Sequence, residues 1–410
     1  MRNHDPKLRI AITGVGILCS IGRNASEVWE SIVQSRSGIR PMTRFPGETF
    51  PTSIAAEVLD EIYAMTGEAR SRLRRLSRTD VLAVAAAREA LAQAESGTTP
   101  LDRDRMIVST GTSTGGLLEG EDFFFRRLIH GRGRTPTSRV LQQPTSGPSD
   151  AVANIFGLGG GVVSNATACA SAGAAIGLAA DLLRSGHARS VIAGGSDALC
   201  RLTYSGFNVL QAVDPSPCTP FSAERKGISL GEGAAYLVLE PWHDAIERGA
   251  AILAELCGYG ASCDAHHLTA PAEDGRGAAA AMRGAIASAG LDAREIDYIN
   301  AHGTGTLLND SAESHAIVSV VGAQVPVSST KSYFGHTLGA SGALEAVISV
   351  LALIRQIAPP TLRLRAQAVD CELDCIPETP RPMDLHHVLS NTFGFGGSNI
   401  SLLFRSVTPR

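Results

Sequence analysis

The chain has 410 residues, a formal net charge of −4 and a hydrophobic fraction of 44%. This length allows two domain-sized units or one large duplicated core. The acidic balance argues against nucleic-acid binding, which needs a basic surface. No stretch reaches the ~18 apolar residues of a membrane span, so we expect no membrane association and a cytoplasmic protein.

The patterns in chain order predict strands that alternate with helices. The first apolar run, at residues 10–19, could mimic a signal peptide, but it contains Gly14 and Gly16 and lacks a clear cleavage site. A strand is therefore predicted at residues 9–18, followed by strands at residues 106–112, 162–168, 190–194, 235–240, 252–259, 298–301, 325–328, 388–392 and 399–404. Helices are predicted at residues 82–94, 170–184, 277–289 and 341–355. This alternation indicates an α/β fold with mostly buried sheets.

The two halves of the chain show a similar pattern around one reactive side chain each. Cys169 precedes Ala-Ser-Ala-Gly-Ala-Ala, and His336 precedes Thr-Leu-Gly-Ala-Ser-Gly-Ala. We predict a duplicated α/β core, with one unit at residues 1–250 carrying the cysteine and a second at 251–410. Residues 41–76 and 130–143 look irregular and are predicted to be surface excursions.

The eight cysteines are scattered through the chain. Cys371 and Cys375 alone lie close together, and no second pair or nearby histidine completes a zinc set. We therefore predict no metal site, and buried free thiols in a reducing compartment.

Cys169 is a candidate nucleophile. It lies in Ser-Asn-Ala-Thr-Ala-Cys-Ala-Ser-Ala-Gly, between a predicted strand and a predicted helix. At a helix N-terminus the unpaired N–H groups and the dipole favour the thiolate, which attacks thioesters. The bend also frees a backbone N–H to face an oxyanion. The alternative is a small, buried apolar residue.

Two further segments place histidines beside glycines and hydroxyls. Asn300-Ala-His-Gly-Thr-Gly-Thr306 contains His302, and residues 329–342 supply Lys331 and His336 on a strand-to-helix loop. Two neutral imidazoles that present N–H groups in a dry site can stabilise the enolate left when a malonyl thioester loses CO2. Each histidine alone is equally compatible with a hydrogen-bonded core position.

A fourth segment, Asn391-Thr-Phe-Gly-Phe-Gly-Gly-Ser-Asn399, is a glycine-rich turn between strands that can bring a backbone N–H and a phenyl ring to the nucleophile. A tight hairpin is the alternative. In this order the four segments resemble the β-ketoacyl-[acyl-carrier-protein] synthases of the thiolase superfamily, particularly the synthase II type, which includes type II polyketide ketosynthases. The resemblance runs from Ile10 to Phe404.

The resemblance implies a thiolase-like fold, a duplicated α/β core in layered αβαβα arrangement. It also implies a decarboxylative Claisen condensation, in which an acyl primer on Cys169 joins malonyl carried by acyl carrier protein. No metal or organic cofactor is expected, because phosphopantetheine arrives on the carrier. The expected partners are acyl carrier protein and a second subunit, in a homodimer or in a heterodimer with a homologous ketosynthase-like chain.

The family motifs imply a role for individual residues of this chain. The triad and its lysine–carboxylate support would be Cys169, His302, His336, Lys331 and Glu345. The oxyanion hole would consist of the N–H groups of Cys169 and Phe395, with the Phe395 ring gating access. Phosphopantetheine would bind Thr304, Thr306 and Thr269. The acyl pocket would be lined by Thr114, Phe207 and Phe393.

Two departures from the family pattern leave the substrate open between primary fatty-acid and polyketide or polyene synthesis. The usual His-Gly-Thr-Ser-Thr reads His302-Gly-Thr-Gly-Thr306 here, a form commoner in polyketide synthases. Thr114 stands where the synthase II type usually has a branched apolar residue.

Three rival functions agree less well with the sequence. Gly227-Ile-Ser-Leu-Gly231 fits a hydrolase elbow formally, but that elbow needs a strand before the serine and a helix after it. A degradative thiolase would be expected to carry a second cysteine near the last glycine turn. A catalytically silent chain-length partner would lack the nucleophile.

The densest basic run of the chain comprises Arg70, Arg72, Arg74, Arg75 and Arg78. It is predicted to be either a solvated helix face or a docking surface for the acidic carrier protein.

Overall fold

The structure is a computed structural model that describes residues 5, 7–45, 50–58, 61–96, 99–131 and 137–408. Its strands in these ranges are Ile10–Cys19 (β1), Arg40–Pro41 (β2), Ile54–Ala55 (β3), Met106–Gly111 (β4), Gly161–Asn165 (β5), Ser190–Asp197 (β6), Gly233–Pro241 (β7), Ala254–Cys263 (β8), Tyr298–Asn300 (β9), Pro326–Ser328 (β10), Ile357–Ala358 (β11), Asp374–Cys375 (β12), Arg381–Pro382 (β13), His387–Gly394 (β14) and Ser398–Arg405 (β15).

The α-helices in the same ranges are Ala25–Val33 (α1), Ile62–Met65 (α2), Arg70–Leu73 (α3), Arg78–Ala94 (α4), Leu117–His130 (α5), Gly147–Phe156 (α6), Ser171–Arg184 (α7), Arg201–Val209 (α8), Trp242–Glu247 (α9), Arg276–Ala289 (α10), Leu307–Val321 (α11), Lys331–Phe334 (α12) and Ser341–Arg355 (α13). Short 3-10 helices cover Arg103–Arg105, Thr137–Gln142, Ala293–Glu295 and Leu338–Ala340. The predicted surface excursions thus contain only short elements where they are described, and residues 46–49, 59–60 and 132–136 of them lie outside the described part.

Ten of the strands form the same five-stranded pattern twice. The order across the sheet is β5-β4-β6-β7-β1 in the first half and β10-β9-β14-β15-β8 in the second. The first three strands of each pattern are parallel, and the last two are antiparallel to their neighbours. A two-residue antiparallel contact between β1 and β8 joins the halves, and β12 extends the far edge. The predicted duplication is therefore confirmed, while the division near residue 250 stays a prediction.

The helices form three layers around these two half-sheets. On the outside of the first half, α4 and α6 share a hydrophobic core with β4, β6 and β7. On the outside of the second half, α10 and α11 pack with β9, β14 and β15. Between the halves lie α7, on β4 and β6, and α13, on β7 and β14. This is the αβαβα layering that the family resemblance implied.

Small residues let the two central helices approach closely at their first turns. A Cβ atom at Gly342, near the start of α13, would lie 2.8 Å from the backbone nitrogen of Gly173 in α7. A second glycine of α7, Gly177, lets this helix pack closely on β8, because a Cβ atom there would lie 2.7 Å from the ring of Tyr259. Because the helices cross at their N-terminal ends, the residues that precede them, Cys169 and His336, are brought to one place.

Residues 338–355 form the one segment of the described chain that is long and apolar enough to cross a membrane, with a mean hydropathy of 1.6 over 18 residues. The expectation that no stretch has this character therefore misses α13. Its position explains the composition, because 89% of this segment is buried between the two half-sheets. A helix covered on all sides by the protein core is apolar all round.

Candidate active site

Cys169 lies in a tight turn between β5 and α7. The backbone of Ala168 takes the left-handed conformation, with φ of 50°, and α7 begins two residues after the cysteine. The Ser171 hydroxyl accepts from the Thr167 N–H at 2.9 Å and donates to the Ala168 carbonyl at 2.6 Å, which holds the turn closed. Cys169 is 6% exposed and lies just before the start of α7.

Two backbone N–H groups lie beside this thiol. Those of Phe395 and of Cys169 itself lie close enough to the sulfur to lower the pKa of the thiol. The β14–β15 hairpin can approach because of Gly394, where a Cβ atom would lie 3.0 Å from the Thr167 carbonyl oxygen and 3.2 Å from the Cys169 nitrogen. The turn therefore brings together the two donors that the family resemblance assigns to the oxyanion hole.

The two histidines lie next to each other, and His336 contacts the thiol. Nε2 of His336 lies 3.1 Å from Sγ of Cys169, and its Nδ1 lies 2.9 Å from the hydroxyl oxygen of Ser341. The ring of His302 meets that of His336 edge-on, with 5.4 Å between the centroids. Since a hydroxyl can donate or accept, Ser341 allows His336 to present either a lone pair or an N–H at Nε2.

Lys331 and Glu345 form a wholly buried ion pair behind His302. The ammonium of Lys331 also donates to the His302 carbonyl oxygen at 2.6 Å and lies 3.1 Å from His302 Nδ1. An ammonium has donors only, so Nδ1 must accept and the proton of the neutral ring is on Nε2. The lysine thus sets the tautomer of His302.

The electrostatic environment keeps both imidazoles neutral. Burial lowers the pKa of His302 well below 6.5, and the charge of Lys331 and the neighbouring His336 lower it further. Burial and Lys331 act in the same direction on the pKa of His336. Neutral rings are the state that the sequence argument expected, because only they offer an N–H without a positive charge.

The thiol differs from the sequence-based expectation. Burial raises the pKa of Cys169 to about 12, which outweighs the lowering by Lys331 and by the N–H of Phe395. The sequence argument left out this desolvation, which dominates in the closed site although the N–H groups at the turn favour the thiolate. The proton has an acceptor within reach instead, because Nε2 of His336 is 3.1 Å away.

A cavity of about 340 Å³ opens onto these groups. Its walls include Cys169, His302 and His336. The three threonines predicted to hold phosphopantetheine and two of the residues predicted for the acyl pocket also line it, namely Thr269, Thr304, Thr306, Phe207 and Phe393. At the mouth, the ring of Phe395 lies 5.6 Å from that of Phe207 and is 39% exposed.

Thr114 is not among the described residues that line this cavity. It is buried, and its hydroxyl donates to Oδ1 of Asp197 at 2.7 Å. The hydroxyl is therefore satisfied by a carboxylate, as a buried polar group must be. Its predicted place at the floor of an acyl pocket stays a prediction.

Sequence reasoning missed Glu313, a buried carboxylate that also lines the cavity. It accepts from the backbone N–H groups of His302 at 2.9 Å and Gly303 at 2.8 Å, and from the Asn391 amide at 3.1 Å. Burial raises its pKa to about 7. The available signal was its place in the helix directly after the glycine loop, from which a carboxylate can reach back to loop N–H groups.

The serine of the possible hydrolase elbow is not an exposed nucleophile. Ser229 is buried, its carbonyl oxygen accepts from the His336 N–H at 2.6 Å, and the strand β7 follows it. The elbow geometry of a strand before and a helix after the serine is therefore not present here.

Comparison with known proteins decides the family. The model of the β-ketoacyl synthase N-terminal domain matches residues 7–245, and that of the C-terminal domain matches residues 253–365. The chain belongs to the β-ketoacyl synthase family. Like the other condensing enzymes of this family, it is an acyltransferase that forms carbon–carbon bonds between acyl groups.

Named relatives of this synthase match over nearly the whole chain. Nodulation protein E of Rhizobium meliloti (strain 1021) is 38% identical over 403 residues, which cover 97% of this chain and 99% of the relative. The 3-oxoacyl-[acyl-carrier-protein] synthase 2 of Synechocystis sp. is 37% identical over 409 residues, 97% of this chain and 98% of the relative.

Solved structures show the same fold. The ishigamide ketosynthase/chain length factor superposes with a TM-score of 0.92 at 35% identity, covering 98% of this chain and 100% of that one. A type II polyketide synthase acyl-carrier protein in complex with its hexaketide-bound ketosynthase, AntDE:AntF, gives a TM-score of 0.86 at 29% identity with coverage of 98% and 100%. The thiolase-like fold predicted from the resemblance is thus confirmed.

Proposed function

We propose that Cys169 carries the acyl primer and that His302 and His336 activate malonyl delivered on acyl carrier protein. The observation that supports this most directly is the convergence of one thiol and two neutral imidazoles on a single cavity, with 3.1 Å between Cys169 Sγ and His336 Nε2. A buried structural cysteine would need neither the paired N–H donors nor an open cavity. The same convergence argues against a catalytically silent partner subunit.

In the first half-reaction the Cys169 sulfur attacks the carbonyl carbon of the acyl thioester, and its proton passes to Nε2 of His336. The N–H groups of Cys169 and Phe395 stabilise the tetrahedral oxyanion. When this intermediate collapses, the acyl group stays on the cysteine. The phosphopantetheine thiol leaves with the proton that His336 held.

In the second half-reaction the malonyl carboxylate leaves as CO2, and its bonding electrons form an enolate. The Nε2–H groups of His302 and His336 donate to the enolate oxygen, which requires both rings to be neutral. The enolate carbon attacks the acyl group on Cys169 and forms the new carbon–carbon bond. The carbon–sulfur bond to Cys169 breaks, and the sulfur takes up one proton from solvent, which the net reaction consumes. The ion pair of Lys331 and Glu345 keeps His302 in the required tautomer.

Phosphopantetheine would enter through the mouth beside Phe395 and hydrogen-bond to the hydroxyls of Thr269, Thr304 and Thr306, which face this cavity. The arm belongs to the carrier, so the proposed reaction needs no resident organic cofactor and no metal. The bound carrier in AntDE:AntF supports the same partner for this chain. We place the reaction in the cytoplasm and the primer in fatty-acid or polyketide synthesis.

We also propose a second subunit of the same fold, either another copy or a homologous chain. An apolar surface on α5 supports this, because Phe124, Phe125, Leu128 and Ile129 are 58–85% exposed. The edge strand β5 lies in the same region of the chain and exposes Val162. An open edge and exposed large apolar side chains are the features that subunit contacts cover. The ishigamide ketosynthase/chain length factor is such a pair by name.

We expect decarboxylation to stay constant as the pH falls from about 8 to about 6. Burial holds the pKa of both active-site histidines well below 6.5, so the neutral, donating form persists across this range. A histidine with its ordinary pKa would become protonated in the acid part of this range, and the decarboxylation rate would fall there. The measurement is the rate of labelled CO2 release from malonyl carrier protein over this range. A half-maximal rate near pH 6.5 in both the wild type and Glu313→Gln, which removes a cavity carboxyl whose pKa of about 7 lies in this range, would contradict the assignment of neutral donors.

The basic run is only partly available for docking. Arg78 is buried and paired with Glu232 at 2.8 Å, so its inclusion in a docking surface was wrong. Arg72 pairs with Glu68 at 2.6 Å, whereas Arg74 and Arg75 are exposed on the short segment before α4.

We therefore expect Arg74→Glu combined with Arg75→Glu to raise KM for carrier-bound substrates several-fold with little change in kcat. Reversed charges repel the acidic carrier and act mainly on its association. Initial rates at two salt concentrations measure the effect, which should shrink as salt screens it. Arg294→Glu, at an exposed arginine on the 3-10 helix before β9, is the matched control. Equal kinetics for the double variant and the control would show that the basic run is a solvated helix face and does not dock the carrier protein.

A further inference from the structure

Asp197 is a buried carboxylate that the proposed chemistry does not use. It is the last residue of β6, its relative exposure is 0%, and it is not among the described residues that line the cavity. Burial raises its pKa, and four of the hydrogen bonds it receives from residues 112–114 act against that shift. A buried charge is tolerated only where its surroundings supply donors.

Five donors from two separate loops converge on this carboxylate. Oδ1 accepts from the Thr112 hydroxyl at 2.6 Å and from the hydroxyl and N–H of Thr114 at 2.7 and 2.9 Å. Oδ2 accepts from the N–H groups of Ser113 at 2.8 Å and Gly339 at 2.7 Å. Three of these donors are backbone N–H groups, which have no other hydrogen-bonding role than to donate.

One of these loops contacts the turn that holds Cys169, and the other follows His336. Ser113 donates from its hydroxyl to the carbonyl oxygen of Ala168 at 2.9 Å, immediately before Cys169. Gly339 belongs to the turn that follows His336. Asp197 therefore lies in a continuous hydrogen-bonded path from the residue before the nucleophile to the turn after the histidine.

The turn at Gly339 is built for this contact. A Cβ atom at that position would lie 2.7 Å from Oδ2 of Asp197 and 2.6 Å from the Ser113 nitrogen, so only glycine allows the approach. The preceding Leu338 takes the left-handed conformation, with φ of 52°, which a leucine adopts only when its surroundings hold it there. The carboxylate thus holds a strained turn in place.

We propose that Asp197 is a positioning residue that sets the distance between the Cys169 sulfur and Nε2 of His336. This rests on the proposed function of those two residues. A displacement of about 1 Å between reacting groups can lower a rate about a hundredfold. In Asp197→Asn the amide nitrogen is a donor, so it would oppose at least one of the N–H groups that the carboxylate now accepts.

The test compares kinetic constants of Asp197→Asn with those of Glu89→Gln. Glu89 is a matched control, since each of its oxygens also accepts a backbone N–H, from Ile17 at 3.0 Å and Ala25 at 2.8 Å, far from the cavity. We expect Asp197→Asn to lower kcat for condensation about a hundredfold with KM for malonyl carrier protein unchanged. Glu89→Gln should lower the melting temperature without this loss of kcat.

Two further variants separate positioning from general destabilisation. Gly339→Ala disturbs the hydrogen bond between the Gly339 N–H and Asp197 from the other side, and it should reproduce the fall in kcat. This variant therefore still tests the proposal if Asp197→Asn fails to fold. Combined with His336→Ala, the change at Asp197 should cause no additional loss, because its effect acts through that histidine.

Wild-type kcat in both Asp197→Asn and Gly339→Ala would overturn the inference, as would full additivity with His336→Ala. Failure of the proposed function can be told apart from failure of the positioning role, because His336→Ala alone would then keep wild-type condensation.

Discussion

Cys169→Ala should abolish condensation, by several orders of magnitude, while the protein remains folded. The change removes one buried sulfur and leaves the turn that Ser171 holds closed. Without the thiol no acyl-enzyme forms, and the two half-reactions cannot be separated in time. Incubation with long-chain acyl carrier protein, followed by peptide mass mapping, should place the acyl group on Cys169 of the wild-type chain.

The other cysteines define the control for this experiment. All eight are free thiols, and Cys263 is the exposed one among them. It is therefore the site at which non-specific acylation would occur first. Cys263→Ala should keep full condensation and the same label on Cys169. An acyl group on Cys263, with Cys169 unmodified, would defeat the assignment of the nucleophile.

The ten strands of the two half-sheets and four helices were predictable because they carry strong local patterns, whereas α1, α5, α6, α8 and α11 were not predicted. The helix 341–355 was placed at its observed bounds, Ser341–Arg355, and β4 at 106–112 differs from the observed Met106–Gly111 by one residue. The strand predicted at 162–168 was too long. Its last residues form the turn before Cys169, where the chain needs a left-handed residue rather than an extended one.

The catalytic segments were also predictable, because each combines a reactive side chain with glycines at the end of a predicted element. Their mutual geometry was not, since it depends on the crossing of α7 and α13 at Gly173 and Gly342. The pKa of Cys169 could not be inferred either. The helix start is visible in the sequence, but the burial that outweighs it depends on residues from both halves of the chain.

Supporting carboxylates are the least visible part of the site in the sequence. Asp197 ends an ordinary buried strand, and Glu313 lies within a helix of mixed character. Each acts by accepting backbone N–H groups from loops that become neighbours only in the folded chain. No local sequence pattern identifies such a carboxylate, because its donors are backbone N–H groups, which every residue except proline carries.

His302→Ala should slow CO2 release from malonyl carrier protein by about a hundredfold or more, because one donor to the enolate is lost in a dry site. The removal of a single donor of this kind costs about 3–4 kcal/mol. Acylation of Cys169 should change much less, since the contact with the sulfur is made by His336, at 3.1 Å from Nε2. His336→Ala should slow both half-reactions, because this ring accepts the thiol proton and also donates to the enolate.

Separate assays of the two half-reactions distinguish these effects. Labelled CO2 reports decarboxylation, and the mass of the acyl-enzyme reports loading. His315→Ala provides the matched control, because His315 is exposed on α11 and contacts the carbonyl oxygen of Glu273. If His302→Ala reduced loading as much as CO2 release, the site would have collapsed around Lys331, whose ammonium would have lost its hydrogen bond to Nδ1 of that histidine. We expect His302→Ala to slow CO2 release more than loading, and His336→Ala to slow both. This result would identify His302 as a donor to the enolate alone and His336 as the residue that serves both steps.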